Sequence, residues 1–335
     1  MGEVLIVNSS PEIMAGQYVV ARRLGSGGMG EVYLAHSLAG DPVAVKVIRT
    51  DKLDPETRAR FEKEAQIART IVGTSRVARF LAADPFADRP WLAMEFVPGH
   101  TLHDQVAEHG VLMVSLVASL GALLAEGLQA VHDVGLVHRD LKPQNVIMGR
   151  YGPVVIDFGL GAFVDASKDS LSSSGMVIGT ARCMSPEQAS GHPHVTPAAD
   201  VYGLGVLLLY AATGHYPYDG TGWQAIVAQV ASADHQPDLT GLPAGLSTLV
   251  PAMLAHEQHR RPTLRQVMKD CAEILTRAGV TAVDARHDLI AVGVDAGVVL
   301  EPCGEPKRAG AHLVRQDLAH ARDLGRCRDA LEVRA

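Results

Sequence analysis

Two acidic residues and one amide in the middle of the chain carry the side chains that phosphoryl transfer requires. Asp140 and Asn145 lie in the segment 137–145, and Asp157 directly follows the apolar run 154–156. Carboxylate and amide oxygens bind divalent cations, and a carboxylate can accept the proton of an attacking hydroxyl. Transfer of a γ-phosphoryl group needs both functions and accurate positioning. We therefore expect Asp140 to act as the base, and Asn145 with Asp157 to hold metal.

Each acid also has a more ordinary interpretation, because loop aspartates commonly cap neighbouring backbone amides. The surrounding residues argue against it. They read His138-Arg139-Asp140-Leu141-Lys142-Pro143-Gln144-Asn145 and Asp157-Phe158-Gly159. Both segments, in this order, resemble the H-R-D-x-K-x-x-N catalytic loop and the D-F-G metal loop of the protein kinases.

The resemblance implies an α+β, two-lobed protein kinase fold over residues 18–277. A small N-lobe of antiparallel strands and one helix (18–96) would lie over a mainly helical C-lobe (97–277), with ATP and Mg2+, or alternatively Mn2+, in the cleft. The implied activity is transfer of the γ-phosphoryl group of ATP to Ser and Thr hydroxyls of proteins, as in a bacterial serine/threonine kinase. Lys142 is typical of the Ser/Thr-directed members and would offset charge in the transition state.

A glycine-rich turn between two predicted strands precedes these motifs. Gly25-Ser26-Gly27-Gly28-Met29-Gly30 follows the strand-like segment 18–24. A lone GxGxxG also marks dinucleotide-binding folds, but there the last glycine opens a helix, whereas the segment 31–35 predicts a second strand. By resemblance, this hairpin covers the ATP phosphates. The implied nucleotide contacts are Leu24, Gly25, Ser26, Gly27, Gly28, Met29, Gly30, Glu31, Val32 and Ala44.

Lys46 lies in the alternating strand 43–48 and would be costly to bury without an anionic partner. The corresponding kinase lysine contacts the α- and β-phosphates and a glutamate of the next helix. Asp54-Pro55 predicts the start of that helix. Glu64 lies beside its apolar stripe of Phe61, Ala65, Ala68 and Val72, whereas the alternative Glu62 points about 160° away from Glu64. We therefore expect Glu64 to pair with Lys46.

The segment 91–99 reads as a strand that ends in a Pro-Gly turn, and by resemblance it connects the two lobes. The backbone of Glu95 and Val97 would meet the adenine edge. Met94 would close the back of the pocket, with plain core packing as its alternative role.

Residues 178–188 resemble the peptide-docking segment of kinases, with Ser185 replacing the alanine of Ala-Pro-Glu. We expect Thr180 to hydrogen-bond near Asp140 and Lys142. Glu187 would need a buried cation, and Arg261 is its expected partner.

A long helix is predicted from Leu116 to Val131, leading into the catalytic loop. Asp200 is expected to fix the backbone of that loop, with a surface N-cap as the alternative. His132 is interpreted as structural, and no histidine is assigned to a metal.

The segment between Gly159 and Glu187 contains Ser170, Ser172, Ser173 and Ser174. A flexible Ser/Gly-rich loop is the simpler interpretation. Within a kinase, these hydroxyls become candidates for autophosphorylation, with Arg139 as the partner of the phosphate. A transient homodimer would allow this reaction to occur between two chains.

Composition excludes several other classes of function. A formal net charge of −7 and a pI near 6.1 give no indication of nucleic-acid binding or of a basic membrane-binding patch. Four cysteines without a CxxC pair favour a reducing compartment. The longest apolar stretches, 112–124 and 201–212, are shorter than the ~20 residues of a membrane helix. We therefore expect a cytoplasmic protein without membrane partners. Residues 1–17 form a predicted leader to the kinase-like region, and we find no targeting signal in them.

The resemblance stops near Arg277, and residues 278–335 form a predicted tail. Its segments 289–294 and 298–300 are predicted to pair as a hairpin. A docking region, an autoinhibitory arm and a poorly ordered end are the three interpretations of the tail.

Two other functions share parts of the pattern. A pseudokinase would keep the fold but lose Lys46, Asp140 or Asp157, and the chain retains all three. A small-molecule phosphotransferase of related fold would lack the segment 179–187 and Arg261. The complete set favours a protein kinase.

Overall fold

The first lobe is an antiparallel sheet with one helix packed against it. The computed structural model describes residues 14–27, 30–48, 55–71, 74–157, 176–192 and 194–295, all within one compact unit. In chain order the elements are strands β1 (Met14–Ala15), β2 (Tyr18–Gly27), β3 (Gly30–His36) and β4 (Pro42–Ile48), helix α1 (Pro55–Ala68), and strands β5 (Phe80–Asp84) and β6 (Trp91–Glu95). The strand order is β1-β2-β3-β4-β6-β5. This confirms the predicted N-lobe, although its sheet already begins at Met14 rather than Tyr18.

Strand β4 divides its side chains between the two faces of this sheet, as the alternation of a strand requires. Val43, Val45 and Val47 are buried together in one cluster. Lys46 therefore lies on the opposite face, where Phe61 of α1 packs in a separate cluster. The predicted helix start at Pro55 and the predicted buried stripe of α1 are confirmed as far as Ala68.

The second lobe is mainly helical and carries one small sheet. Its elements are strand β7 (Gly99–Thr101), helices α2 (Leu102–His109) and α3 (Val114–Asp133), strands β8 (Val146–Gly149) and β9 (Gly152–Val155), and helices α4 (Met176–Ala181), α5 (Pro186–Ala189), α6 (Ala198–Thr213), α7 (Trp223–Ala231), α8 (Leu249–Met253), α9 (Leu264–Arg277) and α10 (Ala282–Asp295). Strands β7, β8 and β9 pair antiparallel in that order. The α+β, two-lobed prediction is confirmed.

Helices α3 and α6 form the centre of this lobe. Helix α6 is buried along its whole length from Ala199 to Ala212, and α3 packs against both α6 and α9. Helix α3 is longer than its predicted apolar stretch and, by length and composition alone, could cross a membrane; no other helix among the described residues could. However, 61% of its apolar window is buried inside the protein. A helix that is apolar on most sides is also what a protein core requires.

The chain continues past α9 as a further helix. Residues 289–294, predicted as a strand, lie in α10, so the hairpin prediction is wrong for this segment. Ala285 and Leu289 are one helical turn apart and both are buried in the main core, so tertiary packing selects the helix over local β-propensity. The second predicted strand, 298–300, lies outside the described residues.

Candidate active site

The loop between α3 and β8 brings Asp140, Lys142 and Asn145 into direct contact. Lys142 Nζ lies 2.7 Å from Asp140 Oδ2. Asn145 Nδ2 donates to the backbone oxygen of Asp140 at 2.8 Å and to its Oδ2 at 3.1 Å. Asp140 Oδ1 is buried and has no hydrogen-bond partner among the described residues. Because a buried acceptor without a donor is costly, this oxygen is well placed to accept a hydrogen bond from a substrate.

Lys142 also connects the catalytic loop to the segment 179–188. Its Nζ donates to Thr180 Oγ1 at 3.0 Å, which confirms the predicted contact of Thr180. Burial alone would lower the pKa of Lys142, but the charge of Asp140 and their hydrogen bond raise that pKa above its usual value. Lys142 therefore stays cationic at neutral pH, beside the carboxylate of Asp140.

Asp200, in the first turn of α6, fixes the backbone on which Asp140 stands. Its carboxylate accepts hydrogen bonds from the backbone N–H of His138 at 2.8 Å and of Arg139 at 2.9 Å, and His132 Nε2 lies 2.7 Å away. Arg139 has a φ of 66°, a left-handed conformation that costs a non-glycine residue about 1–2 kcal/mol. Asp200 is only 1% exposed. The predicted tie to the loop is therefore confirmed, and the surface N-cap alternative is wrong.

Asp157 and Lys46 meet across the cleft between the lobes. Lys46 Nζ lies 2.7 Å from Asp157 Oδ2, with only 12% and 23% of the two side chains exposed. Burial alone would raise the pKa of Asp157, but the charge and hydrogen bond of Lys46 lower it below its usual value. Asp157 also has a left-handed backbone, with a φ of 62°. An ionised carboxylate is thus held against the lysine in a strained conformation.

Asn145 and Asp157 lie on neighbouring stretches of backbone. The N–H of Ile156 donates to the carbonyl oxygen of Asn145 at 2.8 Å. The bonds to Asp140 use the amide nitrogen of Asn145, and the bond to Lys46 uses Oδ2 of Asp157. With respect to the described residues, this leaves one oxygen of each side chain for a cation. The described residues contain no group of three His, Cys, Asp or Glu side chains that could hold a metal alone. The two oxygens fit a divalent cation that is shared with substrate phosphates.

The glycine-rich hairpin is paired through β3 with the part of β4 that contains Lys46. Gly27 pairs with Gly30 across β2 and β3, and Val32 pairs with Lys46 across β3 and β4. A Cβ at Gly30 would lie 1.9 Å from the carbonyl oxygen of Val47, so only glycine fits there. Gly28 and Met29 lie outside the described residues.

Glu31 has a different environment from its neighbour Val32. Its carboxylate accepts hydrogen bonds from Arg23 Nη1 at 3.1 Å and from the Tyr33 hydroxyl at 2.7 Å. Adjacent strand residues point to opposite faces, so a nucleotide on the Val32 side could reach only the backbone of Glu31. Leu24 is 38% exposed at the edge of this hairpin. Gly25 pairs with Val32, and Ser26 pairs with Glu31.

At the other end of the cleft, Ala44 and Met94 are paired across β4 and β6. Met94 is buried in the cluster that contains Phe61, so its alternative role in core packing is confirmed. The N–H of Glu95 donates to the carbonyl oxygen of Arg79 at 2.8 Å, which leaves only the carbonyl of Glu95 for the predicted adenine contact. Val97 follows β6 in the connection to the second lobe.

Several predicted features lie outside the described residues. Helix α1 contains Glu64, but its side chain is among those not described, so the Lys46–Glu64 pair stays a prediction. The same is true of Val72 and of the segment 158–175, which contains Phe158, Gly159, Ser170, Ser172, Ser173 and Ser174.

The Glu187–Arg261 ion pair is confirmed, with Arg261 Nη1 and Nη2 each 2.8 Å from a different carboxylate oxygen. A contact beside this pair was not predicted from the sequence: Gln188 Nε2 donates to the backbone oxygen of Arg139 at 2.8 Å. The pattern Ser185-x-x-Gln188 is a capping box and could have drawn attention to Gln188.

Arg76 was also missed, and no sequence motif marks it. It is 4% exposed, and its Nη1 donates to the carbonyl oxygen of Tyr151 at 2.8 Å. Arg76 therefore links a loop before β5 to the turn between β8 and β9, and so joins the two lobes.

The arrangement of these residues is that of a protein kinase, and comparison with known proteins agrees. Residues 18–271 match the family model described as the protein kinase domain. The chain belongs to the protein kinase family.

Its relatives include bacterial serine/threonine kinases. The chain is 43% identical over 254 residues to the probable serine/threonine-protein kinase PkwA of Thermomonospora curvata. The aligned region covers 76% of this chain and 33% of that protein. It is 41% identical over 265 residues to the serine/threonine-protein kinase AfsK of Streptomyces coelicolor, covering 79% and 32%. Among solved structures, a mutant form of the Mycobacterium tuberculosis PknI kinase domain is similar with a TM-score of 0.62 and 26% identity, covering 78% of this chain and 97% of that one. The chain spans about a third of the length of the two curated relatives.

Proposed function

We propose that the chain is an ATP-dependent protein serine/threonine kinase. The observation that carries the proposal is the buried Oδ1 of Asp140, which has no partner among the described residues and lies on the carboxylate that Lys142 and Asn145 contact. The names of the curated relatives support Ser and Thr as acceptors. Residues 18–277 are the proposed catalytic region, with lobes at 18–96 and 97–277.

On the acceptor side, Asp140 Oδ1 accepts the hydrogen bond of the Ser or Thr hydroxyl and directs its oxygen at the γ-phosphorus. The new O–P bond forms as the bond from that phosphorus to the β–γ bridging oxygen breaks, the hydroxyl proton passes to Asp140, and ADP leaves. A base in this position contributes about 10²- to 10⁴-fold. Lys142 places positive charge beside the oxygens of the transferred phosphoryl group. Thr180 holds the ammonium group of Lys142 in place.

On the donor side, Lys46 has three N–H donors, so it can contact both Asp157 and the α/β-phosphates. The backbone amides of the glycine-rich hairpin close over the phosphates. A divalent cation bound by Asn145 and Asp157 supplies neutralisation of charge on the β- and γ-phosphates. Mg2+ is the proposed ion, with Mn2+ as the alternative.

The construction of the segment 180–188 supports a protein acceptor. Glu187 is anchored by the buried Arg261, and Gln188 hydrogen-bonds the backbone of Arg139 beside the proposed base. A segment fixed in this way against the catalytic loop offers a stable surface on which a peptide can place its hydroxyl.

Transfer of radiolabelled phosphate from ATP tests this function. The chain with Mg2+ should label itself or a generic basic protein. Asp140→Asn should reduce the label about 10²- to 10⁴-fold and leave ATP binding, measured by calorimetry, largely intact. Asp133→Asn, at an exposed position of α3, is the matched control and should transfer normally. A wild-type chain that binds ATP but labels neither protein would refute the proposal and indicate a binding scaffold.

We further propose autophosphorylation at Ser170, Ser172, Ser173 or Ser174. A phosphate there would add a charge of about −1.5 to −2 that Arg139 can pair with. Mass spectrometry after incubation with Mg2+ and ATP tests this, and unmodified serines would remove it. If a transient homodimer carries out the reaction, the rate per molecule should rise with protein concentration, whereas a constant rate would contradict it.

The proposed compartment is the cytoplasm. Cys183 and Cys271 are free, buried thiols, as expected in a reducing environment. Fractionation of the source cells followed by immunodetection tests this, and recovery of the protein in another compartment would contradict it.

A further inference from the structure

Helix α10 lies beyond residues 18–271, which match the kinase family, yet it belongs to the core of the second lobe. Ala285 and Leu289 are 0% and 1% exposed and belong to the same apolar cluster as α3 and α6. At its start, Thr281 Oγ1 accepts from the N–H of Asp284 at 3.1 Å and donates to its carboxylate at 2.7 Å. A capped helix with a buried stripe is an integrated element rather than a loose appendage.

The helix packs against the sheet formed by β7, β8 and β9. The helix approaches the strand closely at Gly293, where a Cβ would lie 3.2 Å from both Cβ and the carbonyl oxygen of Met148 in β8. Gly293 is buried. A large side chain at this position would therefore have to push the helix away from the strand.

A second contact holds the turn between β8 and β9. Arg286 Nη2 donates to the carbonyl oxygen of Tyr151 at 3.3 Å. The same oxygen accepts the hydrogen bond of Arg76 at 2.8 Å. The turn is thus held by α10 and by the loop before β5 through one acceptor atom.

The strands beneath α10 lead directly to the proposed metal residues. Asn145 immediately precedes β8, and Asp157 follows β9 closely. Because a strand rises by about 3.3 Å per residue, Met148 lies only about 10 Å from Asn145 along β8. Val146 pairs with Val155, so a displacement of β8 would be transmitted to both ends of the hairpin.

We propose that α10 is a positioning element for Asn145 and Asp157, seated by Gly293, Leu289 and Arg286. The functional catalytic domain then extends at least to residue 295. This proposal rests on the proposed kinase function. According to this proposal, the start of the predicted tail controls how tightly ATP binds together with Mg2+. It acts through the side of the sheet that α10 covers.

Calorimetric titration of the full chain with ATP, once with Mg2+ and once with EDTA, tests the proposal. Gly293→Leu should lift α10 from Met148, and loss of support for metal-binding side chains typically costs about 10- to 100-fold in metal affinity. We expect a loss of that size for ATP with Mg2+ and little change for ATP with EDTA. Ala291→Leu introduces the same side chain at an exposed position of α10 and should bind like the wild type in both titrations.

The comparison with EDTA separates positioning of the metal residues from a general effect on stability. If Gly293→Leu shows no cooperative melting transition, Leu289→Ala replaces it and should weaken binding in the same direction. Binding of ATP with Mg2+ equal to that of Ala291→Leu, or an equal loss with Mg2+ and with EDTA, would overturn the proposal. A wild-type chain that does not bind ATP with Mg2+ would instead refute the proposed kinase function.

Discussion

Replacing Arg261 should destabilise the second lobe strongly, because its partner Glu187 cannot reach water. The two side chains are 0% and 2% exposed. Both carboxylate oxygens of Glu187 accept from Arg261, and the guanidinium carbon lies 5.1 Å from the centre of the Tyr202 ring. The remaining donors of Arg261 bond the backbone oxygens of Ala255, Ala198 and His256.

Arg261→Met keeps the unbranched stem of the side chain but removes the guanidinium group and with it every one of these donors. Breaking a buried ion pair from one side typically costs about 3–5 kcal/mol, because the other charge stays buried without a partner. For a domain of this size, 1 kcal/mol corresponds to about 2–4 °C in Tm, so Tm should fall by roughly 6–20 °C. Thermal unfolding followed by circular dichroism measures this change.

Two further variants show whether the buried charge is the cause. Arg260→Met removes an exposed neighbouring arginine whose ion pair with Glu257 is also exposed, and it should change stability by less than about 0.5 kcal/mol. In the double variant Glu187→Leu/Arg261→Met no buried charge remains, so the free energy of unfolding should recover in part. A loss below about 1 kcal/mol in Arg261→Met, or no recovery in the double variant, would refute the reasoning.

The effect should also depend on pH. Burial alone would raise the pKa of Glu187, but the hydrogen bonds and charge of Arg261 lower it below its usual value. A carboxylate whose pKa is lower in the folded state stabilises the fold above its unfolded pKa, and this contribution is lost as the pH falls through the folded pKa. The advantage of the wild type over Arg261→Met should therefore be full at pH 7 and shrink below roughly pH 4.

Three other perturbations have defined outcomes. Gly30→Ala should lower the free energy of unfolding by at least about 1–3 kcal/mol because its Cβ would meet Val47, whereas Gly25→Ala, which meets nothing within 4 Å, should be nearly neutral; equal melting temperatures would contradict this. Asp200→Asn weakens two charge-assisted hydrogen bonds to the catalytic loop, each worth about 1.5–3 kcal/mol. We therefore expect kcat to fall more than the affinity for ATP. An unchanged kcat in steady-state assays would count against the role of Asp200. Burial raises the pKa of Cys183 and of Cys271 to about 12. Iodoacetamide at pH 8 should therefore leave both thiols unmodified in the folded protein and alkylate both in urea, as measured by peptide mass spectrometry. Rapid alkylation of the folded protein would show that the thiols are accessible.

The parts of the fold that sequence predicted well have strong local signals. Pro55 at the first helical position marks the start of α1, and alternation in β4 separates Lys46 from its buried neighbours. The contacts of Asp140, Lys142 and Thr180 follow from motifs whose spacing the chemistry constrains. Glu187 and Arg261 are far apart in sequence, and family resemblance rather than spacing identified them as partners.

The features that sequence did not predict depend on packing between distant segments. The β-branched residues of 290–294 suit a strand as well as a helix, and only the burial of Leu289 against the core decides for the helix. Arg76 has no motif, since its role comes from a carbonyl oxygen in the other lobe. Alternation with Val32 places the side chain of Glu31 on the other face of the strand, so the predicted nucleotide contact of Glu31 would be made by its backbone.

The left-handed backbones of Arg139 and Asp157 have a consequence for engineering this protein. Neither residue is glycine, and each conformation carries an energetic cost of about 1–3 kcal/mol that its surroundings must hold in place. A library selected only for heat resistance should therefore enrich glycine at these two positions, since glycine adopts such backbones without a steric cost. The selected variants would have a higher Tm but transfer less phosphate. A selection for thermal stability should therefore keep these two residues unchanged.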